Sequence, residues 1–122
     1  MDGRNDGATA GINVFLTTAW TGQSDPMSEK LNTASIQGWL KTRKGWRRKS
    51  NKLVKDFDFE SFRSSIVFVN RVASLADNAQ HHPEIEIRFN EVRVTLQTHD
   101  AGGVTQKDIT LAEQIDFATS AR

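Results

Sequence analysis

The chain of 122 residues contains no cysteine. Disulfides, thiolate metal sites and cysteine nucleophiles are therefore excluded together. No window approaches the roughly 18 apolar residues that a membrane helix needs, and the stretch from Ile12 to Trp20 is too short and too rich in threonine for a signal-peptide core. A chain of this length is expected to form one globular domain, and these absences make a cytoplasmic protein the expectation.

Neither sign of charge dominates, because 16 basic and 15 acidic residues leave a net charge of +1. The basic residues are nevertheless concentrated, since the segment 41–55 holds no acidic residue. Such a segment could attract phosphate groups, but Trp46 is its one aromatic residue and no recognition helix is evident. We therefore expect a solvated basic surface and consider nucleic-acid binding the weaker alternative. Its basic residues are Lys41, Arg43, Lys44, Arg47, Arg48, Lys49, Lys52 and Lys55.

Residues 1–26 show no sustained hydrophobic period, and we interpret them as a poorly ordered leader before a domain of residues 27–122. The leader contains one apolar run, from Ile12 to Leu16. This run could dock on the domain, or the whole leader could be a targeting segment that is removed. The sequence leaves both alternatives open.

The first half of the domain predicts a short helix and a hairpin. Apolar residues at helical spacing indicate a helix from Thr33 to Arg43, with Thr33 as its N-cap. Alternating residues then predict two strands around a Ser50-Asn51 turn. The strands are Arg47 to Ser50 and Leu53 to Phe59.

A long amphipathic helix follows from Glu60 to Ala79 and must stop before Pro83. Its apolar stripe is widened by Phe68, Val72 and Leu75. A stripe of this width needs a sheet or several helices to cover it. The central positions of the predicted stripe are Phe62, Ile66, Val69, Ala73 and Ala76.

The remaining chain predicts a second hairpin and a closing helix. Alternation from Ile85 to Phe89 and from Val92 to Leu96 indicates two strands around an Asn90-Glu91 turn. Thr105 stands three residues before Asp108, an arrangement that starts helices. We therefore predict an α+β fold in the order α-β-β-α-β-β-α. Its four-stranded, mainly antiparallel sheet would carry helices on one face and leave edges that favour self-association.

The chain has only three histidines, His81, His82 and His99, and they flank the second hairpin. The open end of a hairpin brings its two ends together, so we expect Pro83 and Thr98 to be neighbours and the imidazoles to share a pocket. Imidazoles with an ordinary pKa near 6.5 can exchange protons at neutral pH. Simple solvation remains an alternative, and a three-histidine metal site is a weaker one because adjacent histidines seldom point at one ion. Asp108 is interpreted first as a helix cap.

A wider pattern of fixed spacings surrounds these residues. Asp77, three residues, His81-His82-Pro83, five residues, Phe89, nine residues, His99, eight residues and Asp108 follow in order. This pattern resembles the pterin-4a-carbinolamine dehydratases, which are also described as dimerisation cofactors of a homeodomain transcription factor. The resemblance extends from about Ile36 to Phe117, while the leader and the density of the basic segment depart from it. It includes Gly45-Trp46, Phe57-Asp58-Phe59, Asn70-Arg71-Val72-Ala73 and Thr98-His99.

The resemblance implies removal of water from 4a-hydroxytetrahydropterin, a by-product of aromatic amino-acid hydroxylases, without metal or organic cofactor. It implies that His81, His82 and His99 form the acid–base set, with Asp77 and Asp108 in supporting roles. Trp46 either walls the pocket or anchors the core. The resemblance implies three kinds of partner: the pterin, a second copy in a homodimer or homotetramer, and a protein for which the chain acts as coactivator. The residues expected to flank the pterin are Gln80, Pro83, Gln97, Thr98 and Asp100.

Overall fold

A computed structural model describes residues 26–120 and confirms the predicted α+β fold and the order of its elements. Two short 3-10 turns, Pro26–Ser28 and His99–Ala101, are added to that order. Residues 1–25 of the predicted leader lie outside the described residues. Within the described part, no helix is both long and apolar enough to cross a membrane. The elements are α1 (Thr33–Thr42), β1 (Arg47–Lys49), β2 (Lys52–Asp58), α2 (Phe62–Ala79), β3 (Glu84–Arg88), β4 (Glu91–Leu96) and α3 (Gln106–Ser120).

The strands form one antiparallel sheet in the order β1-β2-β4-β3. The second hairpin is therefore adjacent to the first through β4, with Phe57 paired to Val92. In β3 and β4, Glu84 pairs with Thr95 and Arg88 pairs with Glu91. This register places the chain ends before β3 and after β4 at one end of the sheet.

One face of the sheet carries the core. Side chains that alternate along β2 and β4 are buried there against the helices, because period-two alternation sends every second residue to the same face. The helices contribute Phe68 and Val72 from α2 and Ile115 from α3. The strand contribution is Leu53, Phe57, Val92, Val94 and Leu96.

The start of α1 differs from the prediction by one residue. Asn32, not Thr33, is the N-cap, since its side-chain oxygen accepts a hydrogen bond from the Ser35 backbone N–H at 2.8 Å. Both residue types cap helices well. The Asn32 side chain is the one that reaches the third helical N–H, so the predicted cap was wrong although the helix was right.

The buried row of α2 also differs from the predicted stripe. The helix begins at Phe62 with Ser61 as N-cap, and Phe62 itself is 50% exposed. Ala73 is exposed as well. The apolar pattern identified the buried side of the helix but not the central row. The row includes a buried serine, which a pattern of apolar residues does not count. The row is Ser65, Phe68, Val72 and Ala76.

The β3–β4 turn consists of Phe89 and Asn90, so the predicted Asn90-Glu91 turn was displaced by one residue. Asn90 is tied to the end of β2, where its side chain donates to the Phe59 carbonyl at 3.0 Å and its carbonyl accepts from the Phe59 N–H at 2.8 Å. Phe89 takes φ of 55° and its side chain is 69% exposed. It therefore does not join the apolar face of β3.

Part of the basic segment is neutralised within the fold. Lys55 Nζ lies 2.8 Å from Asp116, and Arg43 lies 3.4 Å from Glu113, so two of its cations bind carboxylates of α3. Arg47 lies 3.3 Å from Asp56 on the sheet. The segment is thus partly a set of internal ion pairs, in addition to an exposed surface.

Candidate active site

The end of α2 sets the position of His81. Gln80 adopts the left-handed conformation with φ of 52°, and its N–H bonds the Asp77 carbonyl at 3.2 Å. The His81 N–H then returns to the Ala76 carbonyl at 3.1 Å. This pair of bonds is a Schellman ending, which stops the helix and turns the chain toward β3. The backbone at His81 is consequently fixed by hydrogen bonds to the end of α2.

The His81 side chain reaches the start of α3. Its Nε2 lies 2.5 Å from Oδ1 of Asp108, and only 11% of the His81 side chain is exposed. The Asp108 side chain has no exposed surface. A histidine in contact with a buried carboxylate can take up a proton without creating an isolated charge.

Asp108 is held by two further donors. Its Oδ2 accepts from the Thr105 backbone N–H at 2.9 Å, which is the capping contact expected from their spacing. The same oxygen accepts from the Thr98 hydroxyl at 2.8 Å. Its place in the first turn of α3 also favours a negative charge. Asp108 therefore serves both the helix and the histidine.

His82 forms a second, exposed pair. Its Nε2 lies 3.0 Å from Oδ1 of Asp77 in the last turn of α2. The two side chains are 66% and 75% exposed. A contact this exposed contributes little to stability, and both side chains are open to solvent.

The chain after β4 closes a tight loop next to this site. The Thr98 N–H bonds the Gly103 carbonyl at 2.9 Å, and the Thr98 carbonyl accepts from Ala101 and Gly102, each at 3.1 Å. His99 and Asp100 lie in the 3-10 turn that these bonds enclose, and both are exposed. Gln97 is half-buried at the end of β4.

The expected adjacency of Pro83 and Thr98 is displaced by two residues. Continuing the Glu84–Thr95 register along the hairpin places His81, not Pro83, opposite Thr98. Asp108 then bridges the two side chains. His99 follows Thr98 directly, so the backbone keeps it next to this cluster.

The described residues 29–118 match the family model for pterin 4 alpha carbinolamine dehydratase. This range includes every site residue named above. The chain belongs to this family. It is thus a member of a family of dehydratases, which are hydro-lyases.

Two bacterial relatives bear the name "putative pterin-4-alpha-carbinolamine dehydratase". The protein of Roseiflexus sp. strain RS-1 is 50% identical over 90 residues, which cover 74% of this chain and 97% of the relative. The protein of Thermomicrobium roseum is 46% identical over 86 residues, which cover 70% of this chain and 92% of the relative. The match therefore spans almost the whole of both relatives.

Two solved structures share the dehydratase fold. A transcriptional coactivator/pterin dehydratase from Brucella melitensis superposes with a TM-score of 0.72 at 29% identity, covering 74% of this chain and 98% of that one. A pterin dehydratase-like protein identified as a RuBisCO assembly factor in the alpha-carboxysome gives 0.51 at 23% identity, covering 60% and 84%. The second likeness shows the fold alone.

In this dehydratase family member, Trp46 contacts α3 and the first hairpin. Its indole N–H donates to the Asp116 carboxylate at 3.0 Å, and its ring contacts Phe57 edge-on at 6.3 Å between centroids. Asp116 lies about two turns along α3 from Asp108. The contacts of Trp46, which is 5% exposed, are those of a core anchor.

Other charged groups lie at the opposite end of the second hairpin. A depression of about 260 Å³ on the open sheet face is lined by residues near the β3–β4 turn, including Asp58, Arg88 and Glu91. Within it, the hydrogen bond from Arg93 holds the pKa of Asp56 below its ordinary value of 3.8. In residues 26–120, no group of three or more His, Asp or Glu side chains is placed to hold a metal ion.

Sequence reasoning missed one part of the site, the hydroxyl contacts behind Asp108. Thr98 was expected to flank the pterin, and Thr105 only to precede a helix. The structure joins their hydroxyls at 2.6 Å in a buried contact. The spacing Thr98, Thr105 and Asp108 offers no helical or strand period, so only the folded loop reveals the contact.

Proposed function

We propose that this chain removes water from 4a-hydroxytetrahydropterin to give quinonoid dihydropterin, in the recycling of tetrahydrobiopterin after aromatic amino-acid hydroxylation. Family membership and relatives named for this activity support the substrate. The observation that supports the mechanism is the contact of His81 with the buried Asp108. The proposal requires no metal and no organic cofactor.

The reaction needs one acid and one base. The bond between C4a and its hydroxyl oxygen breaks as an acid supplies a proton, so that the oxygen leaves as water. A base takes the proton from the adjacent ring nitrogen as the imine forms. Positioned side chains contribute typically 10²-fold to 10⁴-fold for each such transfer.

His81 is suited to the role of base. The Asp108 carboxylate accepts from its other donors through Oδ2, and its Oδ1 faces Nε2 of His81. In the proposed resting state Oδ1 is held against Nε2 and acts as the acceptor, so the His81 proton is on Nε2 and its Nδ1 keeps a lone pair. A proton taken up at Nδ1 creates an imidazolium that Asp108 stabilises, as the aspartate does in a Ser-His-Asp triad.

His82 is suited to the role of acid. Its ring is exposed and contacts Asp77, so it can exchange protons with water between turnovers. His99, next to Thr98, completes the proposed acid–base set. Gln80, Pro83, Gln97 and Asp100 lie at the same end of the hairpin, where they would flank the flat pterin ring.

The direct test is the dehydration rate of the purified chain with freshly generated 4a-hydroxytetrahydropterin. We expect the chain to exceed the rate in buffer, and His81→Gln to lose about 10²-fold or more. Lys49→Gln, an exposed change on β1, is the matched control and should keep the parent rate. A parent chain no faster than buffer would overturn the proposal.

We also propose that copies of the chain associate as a homodimer or homotetramer through α2. Phe62, Ile66 and Ala73 lie on one side of that helix at spacings of four and seven, and this row is only partly covered within one chain. Uncovered apolar rows on helices favour association. The coactivator description of the Brucella melitensis protein makes such a surface a candidate for a protein partner as well.

A further inference from the structure

A chain of hydroxyl groups lies behind the Asp108 carboxylate, away from the histidine. The Lys107 backbone N–H donates to Thr105 Oγ1 at 3.2 Å. Thr105 Oγ1 lies 2.6 Å from Thr98 Oγ1, which donates to Asp108 Oδ2 at 2.8 Å. Thr105 and Asp108 have no exposed surface and Thr98 is 7% exposed, so water does not compete for these bonds.

The number of protons available fixes the donor and the acceptor of each hydrogen bond in this series. A threonine hydroxyl has one proton to donate. Thr98 gives its proton to Asp108, so in the contact between the two threonines Thr105 must be the donor. Thr105 in turn accepts from the Lys107 N–H, whose own direction is fixed by the backbone. Every bond in the series therefore points toward Asp108.

We infer that Thr105 and Thr98 are positioning residues for the dehydration, because their hydroxyls orient the Asp108 carboxylate and thereby hold the proton of His81 on Nε2. This inference rests on the proposed function for its kinetic consequence, but its structural consequence concerns the resting chain. Thr105 cannot touch the substrate, since it is completely buried. An effect of its hydroxyl on the rate is therefore indirect, through Thr98 and Asp108 or through the start of α3, and the His81 tautomer distinguishes these two routes.

The inference also changes the role expected of Thr98. A residue that flanks the pterin would alter KM when its hydroxyl is removed. A residue that orients Asp108 would alter kcat and leave KM nearly unchanged. Groups that orient a metal-bound histidine through its second ring nitrogen typically contribute about 10-fold to 100-fold to activity, and we expect a loss of similar size here.

The test compares Thr105→Val with Thr105→Ser. The valine keeps the shape and the backbone N–H that donates to Asp108, but it removes the hydroxyl; the serine restores the hydroxyl. Ser61→Ala is the matched control, because it removes the cap of α2, where Ser61 accepts from the Ser64 N–H at 3.0 Å, without touching Asp108. Thr98→Val and Thr98→Ser form a second pair.

Two measurements are made on each variant. Nitrogen NMR of the resting chain, at a pH where the imidazole is neutral, reports which nitrogen of His81 carries the proton. We expect Nε2–H in the parent and in Thr105→Ser. In Thr105→Val we expect a mixture of both tautomers, because a carboxylate that is less firmly oriented no longer holds Oδ1 against Nε2. Steady-state kinetics should show a loss in kcat of about tenfold or more for Thr105→Val with KM within about twofold, and near-parental values for Thr105→Ser and Ser61→Ala.

The outcomes separate the inference from the proposed function. A parent that lacks dehydratase activity but shows the expected NMR change would sink the function and keep the hydroxyl chain as the device that orders His81. An active parent whose His81 tautomer and kcat are unchanged in Thr105→Val and Thr98→Val would overturn the inference alone. Should Thr105→Val fail to fold, Thr105→Ala takes its place. A parental tautomer and kcat in Thr105→Ala would contradict the inference, and losses in both readings that Thr105→Ser does not show would support it.

Discussion

His81 Nε2 lies 2.5 Å from Oδ1 of Asp108, a carboxylate without exposed surface that also caps α3. One side chain thus links the end of α2 with the start of α3 across 27 positions of sequence. The same link gives the proposed base its orientation. Asp108 therefore contributes to folding stability and, in the proposed mechanism, to catalysis. The two contributions can be measured separately in an Asp108 variant.

Asp108→Asn should lower the dehydration rate by about 10²-fold or more. The amide can donate to His81, which would move the imidazole proton to Nδ1 and remove the acceptor that the substrate needs. Loss of the charged cap should also cost about 1 to 3 kcal/mol of unfolding free energy. Activity and urea unfolding measured on the same sample separate the two effects. An unchanged rate in a folded Asp108→Asn chain would contradict the assignment of His81.

Substitutions in the exposed pair of His82 and Asp77 should affect activity but not stability. His82→Ala should change the free energy of unfolding by no more than about 0.5 kcal/mol, because both partners are solvated. Its dehydration rate should nevertheless fall by about 10²-fold or more if His82 is the acid. Asp77→Asn, which keeps the imidazole, is the matched comparison and should lose less activity. Equal losses of activity in both variants would contradict the assignment of His82 alone as the acid and would mean that Asp77 is equally required.

Much of the fold could be predicted from local pattern, and the errors have local causes too. The period of α2 and the alternation of β2 to β4 were sufficient to give the element order. The β3–β4 turn was placed one residue late because Asn90 is held by Phe59, a residue 31 positions away. The sequence contains no sign of that contact.

The candidate site was predicted as a set of residues but not as a network. His81 and Asp108 were both named, one for acid–base chemistry and one mainly as a cap, yet their contact depends on the packing of α3 against α2. The placement of Trp46 likewise depends on Asp116, which lies 70 positions away. Contacts at such separations have no periodic signal, so pattern reasoning left both alternatives for Trp46 open.

Trp46→Phe tests those alternatives. If Trp46 anchors the core, losing the indole N–H leaves Asp116 with one donor fewer and costs about 1.5 to 3 kcal/mol. The KM for the pterin should stay within about twofold, because substrate binding would be unaffected. Urea unfolding and steady-state kinetics provide the two readings. A raised KM with parental stability would support the alternative that Trp46 lines the substrate pocket.

Acid should weaken the fold in part through Asp56. The hydrogen bond from Arg93 lowers the pKa of Asp56 in the folded chain, so the ionised form contributes stability above the ordinary value of 3.8. This contribution is lost as the pH falls through the lowered pKa of the folded chain. Asp56→Asn should therefore destabilise the chain by about 1 kcal/mol or less at neutral pH, and by less near pH 2. Urea unfolding at the two pH values measures this, with the exposed Glu60→Gln as control; an equal effect at both would contradict the account.

If copies associate through the partly covered row of α2, a substitution in that row should lower the mass of the assembly in solution. Phe62→Ser should shift the chain toward the monomer in sedimentation velocity, because it removes the half-exposed aromatic ring from that row. Phe89→Ser removes a still more exposed ring at the β3–β4 turn and serves as control for exposure alone. A parent that sediments as a monomer, or a Phe62→Ser chain of unchanged mass, would refute association through α2.

The most direct test of acid–base dehydration by these histidines is one assay of the His82→Ala, His99→Ala double variant. Freshly generated 4a-hydroxytetrahydropterin is supplied to the parent and the variant at equal concentration, and far-ultraviolet circular dichroism verifies that both are folded. The account predicts a parent that outpaces buffer and a folded double variant slower by about 10²-fold or more. A double variant that dehydrates the pterin at the parental rate would contradict it.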